Sequence, residues 1–385
     1  MTHDVDVAVV GAGASGSFVA HAVARMGASV RVIERHATPP RHSRAIGVHP
    51  PGLRLLGQFG MADTLIARGV RVPGGLAYIG PKGGRTRPVG QLAFAGLLPE
   101  PYPFVLTLPQ HQTEAVLLAG LHETAGDVLA WGTDVTAVEQ DTDGVTLHMR
   151  GPDGHNETLT ARLLIACDGA RSSLRASLGV PTRGGAYGDT YAMMDVPDTT
   201  DLGDWAGIHL AGDGVVEAFP LPGGVRRWVV KTAQKIEDPH AHDVARRVLD
   251  RTGVDLAGLE AGFVSSFGVQ RQAATHFGVG RVWFVGDAAH VIAPIGGQGM
   301  TLGWQGGMRA AMQAIKVLQH QTSTDAAVDA YEQPQRRAYR AAVARSAWNL
   351  RMGRAHARGH LKGAAVQVLL KQPLVGPVAR AFSMQ

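Results

Sequence analysis

Val5-Asp6-Val7-Ala8-Val9-Val10-Gly11-Ala12-Gly13-Ala14-Ser15-Gly16 is the stretch from which the fold of this chain can be read. Val5–Val10 is a short apolar run of the kind that forms a buried parallel strand, and it stops at a glycine turn. Residues 15–26 then have helical spacing, with Phe18, Val19, Ala22 and Val23 on one face and Gly27 as the stop. Val30–Ile33 is a second strand and Glu34 ends it, 18 residues after Gly16. In such a βαβ unit the first glycine allows the tight turn, the second lets the backbone approach a pyrophosphate, and the third lets helix and strand pack closely. The helix N-terminus presents free N–H groups to the phosphates, and a carboxylate at the position of Glu34 accepts the ribose hydroxyls. The unit implies a dinucleotide without separating a flavin from a nicotinamide.

Two later motifs make that separation. Val282-Trp283-Phe284-Val285 reads as a strand that runs into Gly286-Asp287-Ala288-Ala289-His290. A carboxylate emerging there suits the ribityl hydroxyls of a flavin, a chain that NAD lacks. Gly296-Gly297-Gln298-Gly299 follows Pro294, and a helix is expected from about Met300, its positive end toward the pyrimidine edge of a flavin. The simpler alternative is an Asp N-cap beside a glycine turn. Cys167-Asp168-Gly169 follows the strand 163–166, with Arg171 and Arg175 one helical turn apart. A strand-to-helix turn with a capping Asp explains that segment equally well.

The chain of 385 residues is 45% hydrophobic and 18% charged, ordinary for a globular protein of two domains or one large α/β domain. Cys167 is the only cysteine, which excludes an intramolecular disulfide and a cysteine metal cluster and suits a reducing compartment. Neither a signal-peptide pattern nor an apolar run long enough for a membrane span is expected, so the location read from the sequence is cytoplasmic. The net charge of +5 is uneven. From Gln333 onward there are ten Lys and Arg and no Asp or Glu, which leaves −5 on residues 1–332.

Elsewhere, 110–123 and 241–252 read as helices, and 133–140, 145–149 and 157–165 as three antiparallel strands. Residues 73–103 read as loops with a short strand or two, and 190–196, 207–211, 215–219 and 226–231 as strands. From Ala326 the pattern is mainly helical, with breaks expected near Pro334, Gly353, Gly359, Pro373 and Pro377.

The three glycine motifs, in this order, resemble the para-hydroxybenzoate hydroxylase family of single-component FAD-dependent monooxygenases over most of residues 4–340. Ser43-Arg44-Ala45-Ile46-Gly47 is similar to that family's arginine segment. Leu108-Pro109-Gln110 with Glu114 is similar to its FAD-contacting glutamine segment, and Phe219-Pro220-Leu221-Pro222 to the strand and loop over its substrate. The resemblance implies an α/β fold with a discontinuous Rossmann-like FAD-binding domain built on a mixed sheet (1–75, 104–184 and 270–330). A smaller β-sheet substrate domain (76–103 and 185–269) is interleaved with it, and a C-terminal helical region (331–385) follows. It implies FAD contacts at Gly11, Gly13, Ala14, Ser15, Gly16, Glu34, Arg35, Arg44, Gln110, Val135, Asp168, Asp287, Pro294, Gly299, Met300 and Thr301. Tyr191, Met193, His209 and Phe219, on strands of the inserted sheet, are candidate substrate contacts, and no catalytic acid or base is singled out. The implied reaction uses NAD(P)H as co-substrate to reduce FAD. Reduced flavin reacts with O2, and the C4a-hydroperoxyflavin transfers one oxygen atom to an aromatic or polycyclic substrate.

The chain departs from the family pattern at Thr301, where Asn is usual, near Gly306, where an acid is common, and at Pro51, where many members carry Arg. It is also expected to end without the thioredoxin-like domain of the larger phenol hydroxylases. Competing readings are a flavin-dependent reductase or dehydrogenase acting on a lipophilic or quinone-like substrate without oxygen insertion, and a non-catalytic flavin-binding regulator. Flavin-dependent halogenation is disfavoured because none of the six tryptophans forms a pair two residues apart. The pairs His240/His242 and His356/His360 read as surface and not as metal ligands, and no motif for nucleic acid is present. The basic tail reads as a solvated helical face; peripheral contact with an anionic membrane through Val366, Leu369, Leu370, Leu374 and Val375 is a second reading.

Overall fold

The computed structural model describes residues 3–40, 44–355, 366–371 and 373–384. The strand Val5–Val10 pairs in parallel with Val30–Glu34 on one side and with Asn156–Ala166 on the other. Asn156–Ala166 also pairs in parallel with Val282–Phe284. In register, Val10 stands beside Ile33 and Ala166, and Ala166 beside Phe284. The carboxyl ends of these strands therefore lie at one level on one edge of the sheet. Open α/β sheets place their ligand crevice there, where successive connections turn to opposite sides. Leu129–Trp131 extends the parallel set, and Asp134–Gln140 and Val145–Arg150 join Asn156–Ala166 as the expected antiparallel strands.

Two of the motif glycines are required by contact as well as conformation. Gly11 has φ +100°, a region that side chains with a Cβ rarely adopt. A Cβ on Gly16 would lie 1.8 Å from the Gly11 carbonyl oxygen, so the helix Ala14–Arg25 can approach its strand only with glycine there. That helix packs on Gln110–Ala125 and on the long helix Gly299–Leu318, and the indole N–H of Trp304 donates to the Ala14 carbonyl at 2.9 Å.

A second sheet runs in the order His290–Val291, Phe263–Ala274, Thr182–Pro197, Val225–Thr232, Val216–Leu221, Ala206–Leu210, Gly74–Ile79, Arg87–Ala93. Side chains alternate across it. One face, with Ala192, Met194, Trp228 and Val230, packs on the helix Ala241–Thr252 through Val244 and Val248. The other, with Met193, Leu210, Val215 and Val229, closes on Ile295, Leu350 and Val366. A small sheet of Gly47–Val48, Val105–Thr107 and Val70–Val72 lies between the two, and the Thr107 hydroxyl donates to the Pro220 carbonyl at 2.6 Å.

The expected boundary at 269/270 falls inside the continuous strand Phe263–Ala274, which the sequence reading passed over. The break expected at Pro334 is corrected: one helix runs from Thr324 to Gly353 through it. An interior proline costs a helix about 3 kcal/mol, and here its neighbours are tied to the body of the protein. Tyr331 donates to the Phe284 carbonyl at 2.8 Å, and Glu332 accepts from the Phe277 N–H at 2.6 Å. Gly16→Ala is expected to lower stability by about 1–3 kcal/mol through overpacking at this contact, read as a lower thermal midpoint of the cofactor-free protein.

Candidate active site

The three motifs converge on one cavity of about 550 Å³ that reaches from the strand ends to the second sheet. Gly13, Ala14 and Ser15 line it from the first motif, Cys167 and Gly169 from the second, and Asp287, Pro294, Gly299 and Met300 from the third. Gln110 and Arg44 line it as well.

These residues suit FAD on observations of the chain itself. The helix starting at Gly299 has no side-chain cap, so its N–H groups and positive end serve whatever anion lies in the cavity, whereas the Ala14 N–H at the start of the first helix is taken by Glu114. Asp287 is surrounded by protein, yet has an accessible face because that face opens on the cavity. Its carboxyl accepts no hydrogen bond from the described residues, and burial pushes it up to about 6. A ribityl chain supplies the donors that it lacks. Glu34, an expected FAD contact, lies outside the cavity lining and accepts from the Ala12 N–H at 2.8 Å and from the His36 N–H at 3.0 Å. Burial opposes its charge, but these hydrogen bonds hold its carboxyl below the usual range.

Other positions behave differently from one another. Arg44 donates to the Ser265 hydroxyl at 3.1 Å and lies over the Phe267 ring. The Glu114 carboxylate accepts from Gln110 at 2.7 Å and from the Ala14 N–H at 3.0 Å, holding the glutamine against the first motif. Asp168 does not line the cavity; one carboxylate oxygen accepts from the Leu174 N–H at 3.3 Å and the other is buried without a partner. Arg175 is buried and donates to the Ala288 and Ala170 carbonyls, tying the second motif to the third. Arg35 is exposed and Val135 lies in the core; neither lines the cavity.

The departures at Thr301 and Gly306 have local explanations. Thr301 is fully buried and outside the cavity lining; its hydroxyl accepts from the His49 N–H at 3.3 Å. His49, which the sequence reading did not single out, lines the cavity and donates from Nε2 to the Gly296 carbonyl at 2.7 Å, fixing the Gly296–Gly297 turn. Burial pushes its imidazole down to about 4, so it is neutral. At Gly306 a Cβ would lie 2.8 Å from the Gln335 side chain. The missing side chain makes room for Gln335, which donates to the Leu302 carbonyl at 3.1 Å and meets His290 Nε2 at 2.8 Å.

On the second sheet Met193 and Phe219 line the cavity. His209 does not: strand alternation turns it to the opposite face, where it stacks on Tyr78 with centroids 4.2 Å apart and meets the Thr86 hydroxyl at 2.8 Å. Tyr191 shares the face of Met193 but stands beside Lys231, whose ammonium lies over its ring. Its hydroxyl is buried without a partner, outside the cavity lining. Between these positions is a residue that the sequence reading missed. Glu217 has the parity of Phe219, and its side chain faces the cavity. The signal was present as one acid in the apolar run Val215-Val216-Glu217-Ala218-Phe219.

The tail reading is corrected. Val366, Leu369 and Leu370 line the cavity, and Val375 is buried against Leu92, Phe94 and Leu98. Of the proposed membrane-facing residues only Leu374 is left exposed. Trp348, Met352, Val378 and Phe382 complete this roof. Among the described residues no helix is long and apolar enough to cross a membrane and no group of His, Cys, Asp or Glu could hold a metal; His356 and His360 lie outside them, as does Ser43.

Asp287→Asn separates stability from binding. With its carboxyl raised to about 6 from an ordinary 3.8, Asp287 favours the fold when protonated, and that contribution is lost as pH rises through about 6. The cofactor-free variant is therefore expected to melt above wild type at about pH 8, with the gain vanishing toward about pH 4, while its FAD affinity falls by about tenfold or more. Thermal scans at the two pH values and FAD titration check both.

Residues 4–346 match the family described as FAD binding domain. The chain is 34% identical over 321 residues to the 6-methylpretetramide 4-monooxygenase of Streptomyces rimosus, covering 81% of this chain but only 56% of that protein. The structure of p-nitrophenol 4-monooxygenase from Pseudomonas putida superposes with TM-score 0.87 at 22% identity, over 98% of each chain. An aklavinone-11 hydroxylase, solved with FAD and aklavinone, gives TM-score 0.80 at 25% identity, over 94% of this chain and 71% of that one. With its three motifs gathered on one cavity and residues 4–346 matched by the family model, the chain belongs to the family described as FAD binding domain.

Proposed function

We propose that this protein is an FAD-dependent monooxygenase that uses NAD(P)H and O2 to hydroxylate an aromatic or polycyclic substrate. The observation that carries the reading is the continuity of the cavity. At one end are Asp287, Pro294 and the uncapped amino end of Gly299–Leu318; at the other is a chamber walled by Met193, Ile208, Phe219 and Val229 and roofed by the tail. A polar anchor for a cofactor thus opens directly onto an apolar space for a flat substrate. Two of the proteins named above, the 6-methylpretetramide 4-monooxygenase and the aklavinone-11 hydroxylase, support the same substrate class.

When bound, FAD supplies two-electron reduction by NAD(P)H and the activation of O2. The chain's own part is positioning and exclusion of water. The positive end of Gly299–Leu318 favours negative charge at the cavity wall it faces. Neutral His49 holds the Gly296–Gly297 turn without adding charge. Leu369, Leu370, Val378 and Phe382 give the chamber an apolar wall that reduces the access of water to a group inside.

The test is NAD(P)H-dependent oxygen uptake by the FAD-loaded protein against phenols, naphthols and quinone precursors, with product mass recorded. A compound that speeds NAD(P)H oxidation and gains one oxygen atom is the expected outcome. Reduction or dehydrogenation of the substrate with no oxygen incorporated from labelled O2 would replace the proposal by the reductase reading.

A further inference from the structure

We infer that Glu217 binds a phenolic hydroxyl of the substrate and accepts its proton, so that the cavity selects hydroxylated aromatic rings; this rests on the aromatic-substrate reading above.

Met193 pairs with Val229, Val229 with Glu217, Glu217 with Ile208, and Ile208 with Ala77. These five residues form one rung across the sheet, and all five line the cavity. Four are apolar and the central one carries a carboxyl. The next rung on one side presents Phe219, Arg227 and Ala206, and on the other Val215, Leu210 and Tyr191.

Nothing in the fold uses this carboxyl. Glu217 makes no hydrogen bond or ion pair with the described residues. A half-buried carboxyl set among apolar side chains without a partner is unfavourable, and native proteins rarely keep one without a use for it. An apolar residue would complete the rung at no such cost. The cations near the chamber are already engaged: Arg227 forks onto Asp195 at 2.6 and 2.7 Å, and Lys231 and Arg354 both bind Asp189. Arg44 donates to Ser265. The remaining titratable groups are the buried phenol of Tyr191, whose ionisation the Glu217 charge opposes, and, toward the strand ends, Asp287, His49 and Cys167. With no described charge to offset it, burial pushes the Glu217 carboxyl up to about 7.

The partner such a group wants is a hydrogen-bond donor on an otherwise apolar ligand. An aromatic hydroxyl supplies it, whereas a carboxylate on the ring would meet repulsion. In the step proposed, the substrate O–H proton passes to a Glu217 carboxylate oxygen. The O–H electron pair stays on the substrate as phenolate, Glu217 becomes the neutral acid, and the proton later returns to product or solvent. A phenolate ring is richer in electrons at the positions that accept oxygen.

The test is equilibrium binding of 2-naphthol and its methyl ether, 2-methoxynaphthalene, to the oxidised FAD-loaded protein, read from the flavin absorption spectrum. At about pH 8 wild type is expected to prefer the naphthol by roughly tenfold or more, the preference shrinking as pH falls through about 7. Glu217→Leu should lose the preference while keeping its FAD and its affinity for the ether, and Glu217→Gln should lose the pH dependence. Equal affinities in wild type, no binding of either compound, or a preference retained in Glu217→Leu would overturn the assignment. Oxygen incorporation is followed in the same samples. Naphthol that binds through Glu217 but gains no oxygen would count against the monooxygenase reading and leave the role of Glu217 standing.

Discussion

The alignment of Val10, Ala166 and Phe284 at one level of a parallel sheet is the constraint on which the site depends. Because these strands point the same way, the loops that leave them leave from one edge. Motifs separated by more than a hundred residues of chain thereby meet around one crevice. A slip of one residue would turn each strand's side chains to the opposite face, and the loops would no longer meet. The contact of Gly16 with the Gly11 backbone, and the Trp304 hydrogen bond to Ala14, hold the first and third motifs in that arrangement.

The second sheet adds selectivity by a different rule. Its period of two sends Met193, Glu217 and Phe219 to the cavity and His209 to the far side. The cavity thus holds one carboxyl near the strand ends, Asp287, and one on the sheet, Glu217. Burial raises both above the usual carboxylate range, and neither has a partner among the described residues. Both carboxyls face the cavity, where a ligand can reach them. The apolar tail residues close the same cavity, and this accounts for their hydrophobicity without a membrane.

Much of the first sheet was legible because its signals are local. A strand that ends in Gly11, an acid 18 residues past Gly16, and a strand running into Gly286-Asp287 each report their geometry within a short window. Asp143-Gly144 and Asp153-Gly154 likewise mark hairpins that the structure forms. The strand Phe263–Ala274 was not legible, since it has mixed Ser, Gly and Gln and owes its extended form to pairing with Thr182–Pro197. Pro334 misled in the opposite direction, because tertiary hydrogen bonds at Tyr331, Glu332 and Gln335 hold the helix that a local rule would break.

The sequence by itself determined the FAD-binding motifs, their order and the residue types that meet a dinucleotide, because backbone conformation and strand-end chemistry are properties of neighbours in the chain. Only the tertiary structure decided which side chains share the cavity. Strand register and parity set Glu217 inside and His209 outside, Gln335 fills the space left at Gly306, and the tail folds back as a roof. Those outcomes depend on contacts between distant segments, and the side chains that make them carry no local mark of where they will point.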